Sequence, residues 1–440
     1  MIKKIVFSIL LLSSLFSCSK INDEIIKPPE EENEFTDEEL LDLTQEKTFN
    51  FFWKNVNLVS GLTKKSLSTD YIALSGASYG VLSILIGVER GYITRQQAVE
   101  RMTIIVQFLS EKADRFHGAW AHWFDTTTGV AKPFSPNDDG ADLVETGFMI
   151  QALLTAQQYF TNETPEETLV RNTIQTLYEE VEWDWFTNGN NYLLWHWSPN
   201  YEFEKNLQIK GWNEAMITYI LAIASPTHSI PVEYFHTGWV GDNYVDRLDL
   251  NARDDKGGNL FTAYSSFRSL TPYLKDKYII QAGYKTYHER ARHQALLNRE
   301  WCISKTSTYW YYSEKCWGIT SSKDPAGYKH HKPIESSDNG TIAPTAAFAS
   351  MPYTPEESLI ALHHFHEDLK DRGIWNDDYG FYDAFNFDQN WIADDFLALD
   401  QGPLLIGIEN YRTGFLWDLL IQNQSIKQSL QDIGFEIVPH

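Results

Sequence analysis

Apolar positions recur along this chain in two alternating textures. From Thr36 to about Asn57 the pattern is that of an amphipathic helix, with Leu40, Leu41, Leu43, Phe49, Phe52 and Trp53 among its apolar positions. Thr36 and Glu39 stand at its start at capping-box spacing. Ser75 to Gly91 is apolar nearly all round. Thr94 to Lys112 is amphipathic again, with Met102, Ile105, Val106 and Leu109 as its stripe. The alternation continues through an apolar helix ending near Phe160 and a helix from Pro165 to Glu182. Further helices are predicted near Glu214, over Asp276–Arg299, Pro344–Ser350 and Pro355–Leu369, and from the Asp400–Pro403 segment to about Leu420, with Pro403 near its start. An amphipathic helix buries one face and an apolar one must be buried all round. The pattern therefore predicts an all-α fold with an inner and an outer layer of helices. Strand signals are few. Asn191–Trp197 follows a Thr-Asn-Gly-Asn turn and reads as a hairpin in a loop.

Acids stand where the inner layer should be apolar. Asp138, Asp142 and Glu145 are spaced i, i+4, i+7, which puts them on one helical face. That face continues through Met149, Ala152 and Ala156. Asp138 could serve as an N-cap, but capping does not account for Glu145, which lies further inside. Glu214 heads a face that continues through Ile217, Thr218 and Leu221, and Asp400 opens the last apolar helix. If the inner helices run parallel in a closed toroid, these acids converge in one pocket. Paired carboxyls are what glycoside hydrolysis requires: one gives a proton to the leaving oxygen, and the other activates water or attacks the sugar. The intervening loops are rich in aromatics. Trp120, His122, Trp195 and Trp197 either line sugar subsites or pack the loops.

Composition narrows the partner. Aromatics make up 14% of the chain, including 15 Trp, a stock of flat apolar faces suited to sugar rings. The net charge of −24 repels nucleic acid and anionic membranes and disfavours a polyanionic substrate, so a neutral one is expected. Residues 1–17 carry Lys3 and Lys4 ahead of an apolar run from Ile5 to Leu12, as in a secretory signal. Leu15-Phe16-Ser17-Cys18 resembles a bacterial lipobox, which would make Cys18 the lipidated first residue. Residues 18–35 read as a tether, and 36–440 as one catalytic domain. Export to the cell envelope, membrane attachment by the lipid alone, a monomer, no cofactor and no metal are expected. Cys302 and Cys316 could be bridged or free. His363, His364 and His366 read as a surface cluster, Asp394-Asp395 as a solvated loop pair, and Arg412 as the partner of a buried acid.

Several segments together carry a resemblance. They are Ile342-Ala-Pro-Thr-Ala-Ala347, Pro352-x-x-Pro355-Glu356, Tyr379-Gly-Phe-Tyr-Asp-Ala-Phe-Asn386, Asp400-Gln-Gly-Pro403 and Ile408-Glu-Asn-Tyr-Arg412. They resemble the glycoamylase-like domain of bacterial β-1,2-glucanases and of cyclic β-1,2-glucan synthases, from about Leu40 to Gln424. The resemblance implies an (α/α)6 toroid that hydrolyses β-1,2-glucan, with inversion in the stand-alone enzymes. It implies catalytic carboxyls in an Asp-x3-Asp-x2-Glu cluster and a Trp-x-Glu helix start, matched here by Asp138, Asp142, Glu145 and Glu214, with Asp400 at the Asp-Gln-Gly step. Glu214 would be the general acid, and the identity of the base stays open. Fold does not fix linkage. The alternatives are α-glucan hydrolysis, as in glucoamylases, a non-catalytic sugar-capturing lipoprotein similar to the helical SusD-like proteins, and a polysaccharide lyase, whose uronate substrates the acidic charge disfavours.

Overall fold

Helices dominate the architecture, and their two textures sort into two environments. In the computed structural model the described residues are 35–439. The signal segment, Cys18 and all of the tether but Phe35 lie outside them. In chain order the main helices are α1 (Asp37–Lys54), α2 (Leu74–Glu89), α3 (Arg95–Glu111), α4 (Leu143–Tyr159), α5 (Pro165–Glu179), α6 (Met216–Ala224), α7 (Tyr287–Ser304), α8 (Pro344–Ala349), α9 (Pro355–His363) and α10 (Ala398–Thr413). Nearly every side chain of α2, α4, α6 and α8 is buried. In α1, α3 and α5 only one stripe is, because charges occupy the remaining positions. The Thr36–Glu39 capping box forms as expected, and Thr94 with Gln97 builds a second at the start of α3.

The buried segments follow one another around a ring. α2 packs between α4 and α10, α4 also meets α6, and α10 also meets α8. Residues 261–269 fill the remaining gap. There Ser266 Oγ accepts the Ile217 N–H of α6, and the Tyr264 hydroxyl bonds Ser350 Oγ at the end of α8. α10 presses closely on α2. A Cβ placed on Gly402 would stand 2.1 Å from Cγ of Tyr79, so only glycine allows this approach.

Several local expectations are corrected. α10 begins at Ala398, so Pro403 lies in its second turn rather than near its start. The earlier start is possible because the Asp383 carboxylate takes the Leu397 N–H and the Lys65 carbonyl takes that of Ala398. The helix expected over Asp276–Arg299 breaks at Gly283, which takes a positive φ, and α7 starts afresh at Tyr287. The helix expected over Pro355–Leu369 turns wider after His363, with a π-type segment at His364–Asp368. Asn191–Trp197 is not a self-contained hairpin: His196–Trp197 pairs with Ala141–Asp142, and Leu194 pairs with Gln208.

Side-chain environments differ too. His363 and His366 are buried rather than a surface cluster. His363 bridges Asp37 and Glu367, and His366 sits edge-on to the rings of Phe35 and Trp375. Asp395 is not solvated: it accepts the Leu67 and Ser68 N–H groups and pairs with Lys323, while Asp394 stays outside. Arg412 pairs with Glu38 and Asp42, both exposed, and the buried acid Glu409 is taken by Arg90. Cys302 and Cys316 are buried free thiols.

Gly402→Ala drives a methyl group into Tyr79, and overpacking of this kind costs about 1–3 kcal/mol. Urea unfolding of the variant should show a lower midpoint with an unchanged slope.

Candidate active site

Every backbone N–H in the first turn of a helix needs an acceptor, and in the inner ring carboxylates supply several. Asp142 is the N-cap of α4: its Oδ1 accepts the N–H groups of Val144 and Glu145, each at 3.0 Å. Glu145, in the first turn of α4, reaches across to α2 and accepts the Ser75 N–H at 2.5 Å. Capping therefore does account for Glu145, but on a neighbouring helix. Asp383 does the same for α10, accepting from Leu397 and from Gln401 Nε2, all at 3.0 Å.

Asp138 and Asp142 do not share a helical face, because α4 starts only at Leu143. Asp138 lies in the turn before the strand pair Ala141–Asp142 and His196–Trp197. That pair brings the two acids together. His196 Nδ1 stands 3.3 Å from Asp138 Oδ1 and 3.8 Å from Asp142 Oδ2. The close pairing needs Gly140, where a Cβ would meet the Trp197 carbonyl at 2.4 Å. Lys205 Nζ donates to Asp138 Oδ2 at 2.7 Å. Burial alone would raise Asp138, but His196 and Lys205 outweigh it and hold its carboxyl below the usual range.

His122 completes this side of the site, its Nδ1 2.9 Å from Asp142 Oδ2. Burial opposes its charge, yet the carboxylates of Glu145, Asp142 and Asp138 push its pKa up to about 9. Phe134, itself 44% exposed, stacks on the imidazole with ring centres 4.1 Å apart. Beneath the acids, Arg268 is wholly buried between the rings of Tyr79 and Phe148, its guanidinium carbon 4.1 and 3.8 Å from their centres. Its nitrogens hold Ser78 Oγ and the Ser75 carbonyl, so α2 is gripped by Glu145 at one end of its first turn and by Arg268 at the other.

Glu214 and Asp400 stand apart from the capping acids. Glu214 lies in the turn before α6, which starts at Met216, and is partly exposed. Its backbone carbonyl is fixed by Ser266 Oγ, and among the described residues no other side chain bonds its carboxyl. Burial, then the charges of Glu145 and Asp142, push its pKa up. Asp400, in the first turn of α10, accepts from the Tyr328 hydroxyl at 3.4 Å through Oδ1, and its buried Oδ2 has no partner among the described residues. Burial and the neighbouring Asp383 push Asp400 well above the carboxylate range, while burial takes Asp383 up to about 7. Tyr328 hangs over the site from the hairpin Ser321–Asp324 and Gly327–His330. Its phenol is raised by burial and by the charges of Asp400, Asp383 and Glu214, which links the two separate groups of acids.

All five acids singled out in the sequence thus reach one end of the ring. The aromatic assignments divide. Trp120 is fully buried, its Nε1 donating to the Leu109 carbonyl, and it is a core residue rather than a sugar subsite. Trp195 and Trp197 are partly exposed, Trp195 stacked on His196 and Trp197 edge-on to His117. His196, Lys205, Asp383, Tyr328, Phe134 and Arg268 were not singled out. His196 and Asp383 lie inside segments notable in the sequence. Tyr328 and Arg268 reach the site from distant loops, and no local pattern marks them.

The glycoamylase family model, described as "putative glucoamylase", matches residues 206–424. An exo-β-1,2-glucooligosaccharide sophorohydrolase of Parabacteroides distasonis is 39% identical over 429 residues. The match takes in 90% of this chain but only 58% of that relative's length. Among solved structures, the endo-β-1,2-glucanase of Chitinophaga pinensis, in complex with sophorotriose and glucose, superposes with a TM-score of 0.85 at 40% identity. That match covers 91% of this chain and 99% of the glucanase. A Bacteroides uniformis protein described as a "putative glucoamylase" gives a TM-score of 0.86 at 42% identity, covering 92% of this chain and 99% of that one.

The raised groups fix how stability depends on pH. A raised pKa means that the fold prefers the protonated form. For Asp383 that preference is lost as pH rises from its ordinary 3.8 through about 7. For His122 the stabilisation is complete below 6.5 and is lost through about 9. The melting temperature should therefore fall from mildly acidic to alkaline pH. Asp383→Asn should flatten the lower part of the fall and His122→Gln the upper, as read by thermal unfolding across the range.

Proposed function

Because this chain belongs to the glycoamylase family, we propose that it is a glycoside hydrolase acting on neutral β-1,2-linked glucan, with its acids gathered at one end of an (α/α)6 toroid. The observation that carries the reading is the division among those acids. Asp142, Glu145 and Asp383 are committed to backbone N–H groups and Asp138 to Lys205, whereas Glu214 and Asp400 keep oxygens to spare.

Glu214, kept neutral by burial and by the neighbouring carboxylates, protonates the glycosidic oxygen as the bond to the anomeric carbon breaks. A water attacks from the opposite face and gives its proton to an ionised carboxylate of the cluster, which inverts the anomeric centre. At Asp400, Lys323 and Lys65 oppose the effect of burial. His122, held by Asp142, and Tyr328, on Asp400, orient the sugar hydroxyls. The exposed ring of Phe134 offers an apolar face to a sugar. The carbohydrate relatives, at 39% and 40% identity, support the β-1,2 linkage over an α-glucan. The leader and its Leu-x-Ser-Cys ending support an envelope lipoprotein anchored at Cys18.

Incubation with linear β-1,2-glucan, beside starch and β-1,3-glucan, should release short β-1,2-oligosaccharides from the first alone. Glu214→Gln should lower the rate about 10²–10⁴-fold, the usual contribution of a general acid. Cleavage of starch instead would move the substrate to α-glucans. Binding without cleavage would favour the capture protein.

A further inference from the structure

A cavity opens between Trp185 and Phe203, and no step of the proposed reaction uses it. It has a volume of about 380 Å³, within the range of roughly 300–1,000 Å³ common to small-molecule sites. Its wall is Trp185, 42% exposed although tryptophan is costly to leave in water. One face of the indole is covered by His117, stacked 4.0 Å away and 13° from parallel, and Phe203 leans toward it at 6.4 Å. The ring is held flat and presented to the cavity.

Polar groups surround that ring. Glu182 bonds His117 at 2.9 Å, which fixes the stacking partner. Asp184 bonds His228 at 3.1 Å and caps the turn carrying Trp185. Both acids keep much of their surface open. Asn188 and Gly189 take left-handed conformations, and a Cβ on Gly189 would meet nothing within 4 Å, so the floor of the cavity is bare.

We propose that this cavity is an accessory sugar site that takes one glucosyl unit of a neutral glucan. The open indole face stacks on the apolar C–H face of the ring, and the Glu182 and Asp184 carboxylates accept from its hydroxyls. An anion is disfavoured by the same two carboxylates. The site lies on the rim of the catalytic end: His117 meets Trp197 edge-on at 5.0 Å, and Trp197 adjoins His196, which faces Asp138. Phe203 and Lys205 share one loop, so the chain segment that borders the cavity also holds Asp138. The choice of glucan rests on the proposed function; the aromatic cavity does not.

The test is calorimetric titration of the Glu214→Gln variant with short linear β-1,2-, β-1,3- and α-1,4-glucooligosaccharides. With the β-1,2 series the variant should bind two equivalents, and adding Trp185→Ala should remove one of them or weaken it about 2–10-fold. Trp185→Phe should restore most of that binding. Trp310→Ala, which removes an exposed Trp elsewhere, should bind as the parent does. Equal stoichiometry and affinity with and without Trp185 for every glucan would overturn the site, as would a Phe variant no better than Ala. If the wild-type protein cuts no β-1,2-glucan but Trp185-dependent binding appears with another neutral glucan, the function proposal fails and the site stands.

Discussion

The first-turn N–H groups of buried helices are the constraint on which the structure depends. An outer helix can leave them to water or to a Thr cap, as α1 and α3 do. An inner helix cannot, because an unpaired buried N–H costs about 1–3 kcal/mol. Carboxylates meet the need for α2, α4 and α10, in two cases from a neighbouring segment. The acids are therefore built into the closure of the ring. Burial, and then crowding, raises the pKa values of Glu145, Glu214 and Asp400.

Burying so many acids in one place requires compensation, and the site supplies it unevenly. Asp138 receives a lysine and a histidine, and the Asp142–Glu145 side receives His122 with Arg268 beneath. Asp400 receives only a phenol and more distant lysines. Asp138, beside a lysine and a histidine, is held below the usual carboxylate range, whereas burial pushes Glu145 and Asp400 above it. One fold can shift carboxyls in both directions because burial and counter-charge are set separately at each position.

The aromatic residues show how one composition serves two purposes. Trp120, Trp183, Trp239 and Trp317 are fully buried and fill the core. Phe134 and Trp185 keep open faces, each backed by a histidine ring. A backing ring fixes the orientation of the exposed one, so little freedom would be lost if a ligand stacked on it.

The sequence by itself determined the helical class, the alternation of inner and outer helices and the acids at or just before inner-helix starts, because periodicity and end residues act over a few positions. It also picked out the Asp138–Glu145 segment as an acidic cluster, though with the wrong geometry: the spacing suggests a helical face where a cap and a strand pair exist. Only the tertiary structure decided which acids are spent on backbone N–H groups, since Glu145 and Ser75 lie 70 residues apart and Asp383 needs the fold to reach Leu397. It alone placed Trp120 in the core, brought His196 and Lys205 to Asp138, and hung Tyr328 over Asp400. Contacts between distant segments depend on how whole helices pack, and no local pattern of residues encodes that.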